Sequence, residues 1–195
     1  GGVNTGTVTN CSIYNNSANN GGGVGGGTVI NCSIYNNSAT NGGGVNTGTV
    51  TNCSIVRNRA INLGGGTYDV TMTNTVVYGN KLASLIKSNV YVTTAKTETY
   101  CAYEDEVRAG TGNISLSVNN EGDNTSPYFQ SLSTDAGVVD EIYVSNPKIE
   151  NSSFLIDKGL DSLNASGYGA LYDLSGLERK VDTIDIGAYE NQKTV

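Results

Sequence analysis

The sequence predicts an all-β protein built as a parallel β-helix, a solenoid of about 21 residues per coil finished by an irregular C-terminal cap. Three observations carry that prediction. The segment Gly2-Val3-Asn4-Thr5-Gly6-Thr7-Val8-Thr9-Asn10-Cys11-Ser12-Ile13-Tyr14-Asn15-Asn16-Ser17-Ala18 recurs nearly unchanged from Gly23 to Ala39 and from Gly44 to Ala60, a period of 21 residues. Periods of this size mark solenoids, propellers or arrays, and 21 residues are too few for a propeller blade. Inside each copy Val, Ile and Thr alternate with polar residues at the period-2 spacing of a strand, without the Leu pattern of a leucine-rich repeat or the 3.6 period of helix pairs. Gly and Asn break every copy at the same places, which sets the corners of a coil.

Each element follows in order. Gly-Gly-Val-Asn is a short first strand with Val3, Val24, Val45 and Thr67 pointing inward. Gly6-Thr7-Val8-Thr9 is a second, with Val8, Val29, Val50 and Met72 inward and the flanking threonines outward. Alternation breaks at Asn10, Asn31, Asn52 and Asn74, so the chain turns there; Asn tolerates the left-handed backbone, and its amide can bond the copies above and below. A third strand places Cys11, Ile13 and their counterparts in the core. A Gly/Asn/Ser turn over 16–22 is expected to close the coil. A fourth, degraded copy runs from Gly66 to Asn80 at an offset of 22, its extra residue expected near Ile61–Leu63 and outside the strands. Stacking sets like residues about 4.8 Å apart in ladders, each coil templating the next. One coil buries only a few small side chains at about 1.5–3 kcal/mol each and cannot offset its chain entropy; a stack can.

The segment Thr97-Glu98-Thr99-Tyr100-Cys101-Ala102-Tyr103 mirrors Thr7 to Ile13, so Cys101 is expected to continue the Cys11, Cys32, Cys53 ladder in a longer fifth coil. Four cysteines allow three disulfide pairings. Stacked Cα atoms fall within disulfide range, but parallel side-chain vectors suit an S–S bond poorly, so reduced core thiols are expected. Without His, and at a spacing of 21, the cysteines do not form a zinc pattern.

Charge divides the chain. Residues 1–80 hold only Arg57, Arg59 and Asp69, whereas residues 81–195 hold nine basic and seventeen acidic groups. The division supports regular coils over 1–82, longer irregular coils over 83–126 and a capping segment over 127–195. The complete absence of His excludes His-based triads and HExxH zinc sites. A net charge of −7 disfavours nucleic acid as a partner. No apolar run approaches the length of a membrane span, and the chain opens on Gly-Gly-Val without a signal peptide.

The repeats, with Gly-Gly-Val and Ile13-Tyr14-Asn15-Asn16, resemble bacterial right-handed parallel β-helix repeats. They are also similar to the GGA(I/L/V) and FxxN repeats of polymorphic outer-membrane adhesins, with Ile in the Phe place. The C-terminal region resembles the ending of choice-of-anchor β-helix proteins, in which four motifs follow in order. Here these read Pro127-Tyr128-Phe129, Ser153-Phe154-Leu155-Ile156-Asp157-Lys158-Gly159, Asp173-Leu174-Ser175-Gly176-Leu177-Glu178-Arg179 and Asp185-Ile186-Gly187-Ala188-Tyr189-Glu190. The resemblance implies a secreted or surface-displayed protein, extracellular or on the outer bacterial surface. Without an anchor after Val195 or a cap before Gly1, the chain is expected to be an excerpt of a longer one.

Asp157, Asp173, Arg179 and Asp185 sit among apolar and Gly residues, as partly buried polar anchors do. A segment they tether would cover the open end of the solenoid, with Ile156, Leu174, Ile186 and Tyr189 over the core. The same carboxylates would alternatively form a calcium or substrate-acid site. Glu104-Asp105-Glu106 reads as a solvated loop.

A glycosidase needs two carboxylates across a groove, and the first three repeats contain no acid. No catalytic residue, metal site or cofactor is therefore expected. The expected role is adhesive, carbohydrate- or protein-binding, or scaffolding, with glycans or surface proteins of a host or neighbouring cell as partners. Membrane contact would come only through an anchor absent from this chain. The ligand-binding candidates are the outward ladders Tyr14, Tyr35 and Tyr78, interrupted by Val56, and Thr7, Thr28 and Thr49, since aromatic and hydroxyl rows on a flat sheet can stack on and hydrogen-bond sugars or protein loops. Such residues are also simply good exposed-strand formers. The Thr-x-Thr pattern resembles the arrays of ice-binding β-helices, broken here at Ile30. The alternative function is a fragment of a carbohydrate-active enzyme, a polysaccharide lyase or glycoside hydrolase.

Overall fold

A computed structural model describes residues 1–104, 108–116, 132–133, 143–144, 153, 155–161, 172–179 and 183–190. Pro127, Tyr128, Phe129, Phe154, Asp105 and Glu106 lie outside the described residues. The chain is a parallel β-solenoid. Its first coil contains β1 (Thr7–Thr9), β2 (Ser12–Tyr14) and β3 (Ser17–Asn20). The second has β4 (Thr28–Ile30), β5 (Ser33–Tyr35) and β6 (Ser38–Asn41), and the third β7 (Gly48–Thr51), β8 (Ser54–Val56) and β9 (Arg59–Leu63). The fourth has β10 (Thr67–Tyr68), β11 (Val70–Thr73), β12 (Val76–Tyr78) and β13 (Lys81–Leu82). Strands β14 (Val90–Tyr91), β15 (Glu98–Thr99), β16 (Ala102–Glu104) and β17 (Ile114–Leu116) extend the stack.

Like strands pair with like in three parallel sheets, ordered β1-β4-β7-β11-β15, β2-β5-β8-β12-β16-β17 and β3-β6-β9-β13. A narrow fourth side is made by the bridges Val3–Val24–Val45–Thr67 and by the β10–β14 pair. Register follows the sequence repeat, with Val8, Val29, Val50 and Met72 in one row. Val29, Val50 and Met72 are buried and Val8 packs on the same core, together with Val24, Val45, Ile13, Ile34, Ile55, Val77 and Tyr103. The corners fall where alternation breaks: Asn10, Asn31, Asn52 and Asn74 hold φ between 49° and 54°. Tyr100, their equivalent, holds φ 51°.

Two expectations about the third side are corrected. The turn foreseen over 16–22 contains β3, and its equivalents are β6, β9 and β13. The extra residue of the third repeat lies within β9, where pairing shifts from Ala39↔Ala60 to Asn41↔Leu63 as a β-bulge. The real turn is the glycine step that follows: Gly21, Gly42 and Gly64 hold φ of 62–63°. At Gly43 a Cβ would lie 2.4 Å from the carbonyl oxygens of both Arg59 and Gly65, so successive coils approach too closely there for any side chain.

Two amide and thiol ladders stitch the corners. Asn16, Asn37, Asn58, Asn80 and Asn89 each pass a bond to the next: the backbone N–H and side-chain Nδ2 of one donate to the Oδ1 of its successor at 2.8–3.2 Å. At the other corner Cys32, Cys53 and Cys101 are buried free thiols. Cys11 is free but exposed, a correction to its expected core position, because the first coil has no described coil above it. The Val8 row ends at Glu98, whose buried carboxylate accepts from Tyr103 Oη at 2.8 Å and from Arg108 Nε and Nη2 at 2.5 and 2.7 Å. Arg108 also lies over the Tyr103 ring, 5.6 Å from its centroid, so a neutralised acid closes that end of the apolar core.

Candidate ligand-binding faces and the flank strap

The outward face of the β2-β5-β8-β12-β16-β17 sheet is covered. Tyr14 is 50% exposed, but Tyr35 and Val56 are buried and Tyr78 is half-buried. The rings of Tyr14 and Tyr35 stack at 5.0 Å and 8°. Over this face lie Leu155 and Ile186, forming a second apolar cluster with Tyr35, Val56, Val76, Ala102 and Leu116, against which Tyr78, Ile114 and Ile156 pack. The described residues between 153 and 190 therefore run as a strap along the flank of the coils, not over the open end as expected. Tyr35 and Tyr78 form part of its seat, so of the tyrosine row that Val56 interrupts only Tyr14 stands exposed. The signal was present: down the outward row Ser12, Ser33 and Ser54 give way to Val76, Ala102 and Ile114.

Polar bonds fix the strap to three successive coils. Asn31 Nδ2 donates to the Tyr172 carbonyl at 3.0 Å, Ala188 N–H donates to Ser54 Oγ at 3.1 Å, and Leu160 N–H donates to Asn74 Oδ1 at 2.7 Å. Arg179 is fully buried and donates to Asn31 Oδ1 at 3.4 Å and to the carbonyls of Asp185 and Gly187. Burial lowers its pKa, while Glu190, Asp185 and Asp173 act to hold its proton. The carboxylates bind backbone N–H groups, as foreseen. Asp173 accepts from Ser175, Leu177 and Glu190, Asp185 from Asp157, Asp157 from Thr183 and Glu190 from Asp185. Burial pushes the Tyr189 phenol up to about 12. Glu104, foreseen in a solvated loop, is buried, accepts from Gly79 N–H at 2.8 Å and pairs with Lys87 at 3.2 Å.

The threonine row is laid out as the repeat foretells. Thr7, Thr28, Thr49 and Thr71 are register partners on the outward face of the first sheet. Thr7 and Thr49 are exposed, and Thr28 and Thr71 are half-buried. The parallel row Thr9, Ile30, Thr51, Thr73 is less open: Thr51 is buried and Thr73 Oγ1 is 3.4 Å from Thr99 Oγ1.

The third sheet carries an open groove of about 460 Å³ that the repeat reading missed, because its strands were taken as turn. Ala18, Ala39 and Ala60 form the floor. One wall row is Ser17, Ser38 and Arg59, continued in register by Lys81; the other includes Asn19, Thr40, Ile61 and Ala83. In the first three coils an alanine separates the two wall rows, and the Ser-Ala-Asn, Ser-Ala-Thr, Arg-Ala-Ile succession was the signal for it.

Fold and faces define the chain as a parallel β-solenoid in which one of the three main sheets is strapped and the other two are more open. No protein-family model, curated protein or solved structure matches it.

Proposed function

We propose that this chain is part of a bacterial cell-surface or secreted β-helix protein of adhesive type, holding carbohydrate or protein ligands on the open sides of its coils. One observation carries the reading: the strap takes up one outward face, while the other two present hydroxyl, amide and small side chains in register, with a groove on one of them. Repeated hydrogen-bonding groups at coil spacing suit repetitive ligands, because each added coil meets one more unit of the same chain. Among the described residues the groove lining contains no carboxylate, whereas glycoside hydrolysis needs two across the substrate. Retention is thus favoured over cleavage. Adhesion on a surface also fits the strap, which binds coils together sideways where a solenoid under load would otherwise peel.

The test is a screen of the intact chain against immobilised polysaccharides and cell-surface proteins. Retention of at least one ligand, weakened by Thr28→Val with Thr49→Val or by changes in the groove, is the expected outcome. Release of shortened or unsaturated sugars from a bound polysaccharide would replace adhesion with the enzymatic alternative.

A further inference from the structure

The groove on the third sheet combines three features that the threonine face lacks. It is concave, with a volume inside the range of ligand pockets. It contains the β-bulge of β9, an irregularity that re-aims side chains and concentrates beside binding sites. Ile61, in the bulged strand, is 63% exposed on the wall. Finally, its first wall row turns from hydroxyls to a cation: Ser17, Ser38 and Arg59 follow one another in register, and Lys81 stands next in the row beyond the groove lining.

Four register positions span roughly 14 Å along the solenoid axis, at about 4.8 Å per coil. Arg59 Nη2 donates to the Ala83 carbonyl at 2.7 Å, which ties the guanidinium across the groove. A guanidinium has five N–H donors in a planar fork suited to carboxylate, sulfate or phosphate oxygens, so that anchor leaves donors for a ligand. Among the described residues no acidic side chain lines the groove, although the whole chain is at −7. A positive spot on a negative molecule attracts anions locally while the rest of the surface repels them.

We propose that this groove binds an acidic polysaccharide laid along the solenoid axis. Its anionic groups meet Arg59, its hydroxyls meet Ser38, Ser17 and Thr40, and the apolar face of one sugar ring lies on Ile61. The inference rests on the adhesive reading and narrows it to one ligand class and one face.

The experiment measures binding of the intact chain to polygalacturonate (carboxylate), dextran sulfate (sulfate) and unsubstituted dextran. Expected is retention of one or both acidic polymers, no retention of dextran, and weakening as salt rises from about 0.05 M to about 0.5 M. Arg59→Gln should lower affinity by about tenfold or more, since it removes a charged partner but keeps an N–H for Ala83. Ser38→Glu, which sets a carboxylate in the middle of the row, should abolish binding. Lys158→Gln, an exposed lysine on the strap, should bind as the parent does. Melting temperature checks each variant, and either groove variant alone decides if the other does not fold. Carboxylate and sulfate are distinguished by which polymer is retained. Acidic-polymer binding unchanged by both groove variants, or equal retention of dextran, overturns the inference while leaving an adhesive role on another face. Retention of none of the three polymers also overturns it, and the adhesive reading then stands or falls on the wider ligand screen.

Discussion

Cys11, Cys32, Cys53 and Cys101 follow directly on the left-handed corner residues, and each thiol donates to the carbonyl two residues back, at 3.1–3.3 Å. In the fourth coil Thr75 takes the same place, its hydroxyl donating to the Thr73 carbonyl at 3.0 Å. The position therefore asks for a small side chain with a donor, and Cys supplies it with less cost of burial than Ser. Cys53→Thr should change stability by less than about 1 kcal/mol, because the hydroxyl keeps the bond; a much larger loss in urea unfolding would show that packing of sulfur governs the site. Burial pushes the Cys101 thiol up to about 12 from 9.0. Labelling of the native protein at mildly alkaline pH should mark Cys11 first and leave Cys32, Cys53 and Cys101 for the unfolded chain; four equal native rates would contradict the buried ladder. The asparagine corner is more demanding. Asn58 Nδ2 donates to the carbonyls of Ile34 and Val56 and to Asn80 Oδ1, and its own Oδ1 accepts from Asn37. Asn58→Ala strands several buried groups at once and should cost about 3 kcal/mol or more in denaturant unfolding, whereas the exposed Asn19→Ala should cost almost nothing.

At the scale of elements, the strap decides which faces of the sheets meet water. Arg179 is its hub, reaching Asn31 in the second coil while facing Asp173, Asp185 and Glu190 within the strap. Removing one partner of a buried charged set leaves the others uncompensated, so Arg179→Ala should lower stability by about 3–5 kcal/mol. Arg179→Lys should recover only part of this, since an ammonium cannot reproduce three divergent planar donors. A melting temperature unchanged by Arg179→Ala would mean that the strap is not clamped. Between the fourth and fifth coils, Asp69 accepts from Thr93 N–H at 2.7 Å and from Thr93 Oγ1 at 2.6 Å, which lowers its pKa. A depressed carboxylate pKa adds stability above the unfolded value and loses it as pH falls through the folded one, so this contact weakens only below about pH 4.

For the whole molecule, a solenoid is held by nearest-neighbour contacts and can fray coil by coil. Here the strap reaches Asn31, Ser54 and Asn74, and its apolar residues cover Ala102 and Leu116 as well, so it couples coils that do not touch one another. Unfolding monitored by tyrosine fluorescence and by thiol release should give one coincident transition. In Leu155→Asn the two probes should separate, as the outer apolar cluster opens before the stack. Coincident transitions in that variant would show that the coils are cooperative without the strap.

The repeat made the coils legible because a parallel ladder copies local sequence directly into register: like residues stack on like, and alternation sorts inside from outside. The corner asparagines, the Val8 row and the place of Cys101 all followed from that. The third strand escaped, since Ser-Ala-Asn-Asn lacks β-branched residues and owes its strand form to the neighbours that pair with it. The fates of Tyr35 and Tyr78 were also beyond local reading. Outward in a strand means exposed only if nothing else packs there, and the covering residues Leu155 and Ile186 lie 77 to 151 positions away from these tyrosines in sequence. Sequence by itself determined the solenoid, its period and its core. Only the tertiary structure decided which outer faces stay open to a ligand, because burial of an outward residue depends on long-range contacts that no periodicity encodes.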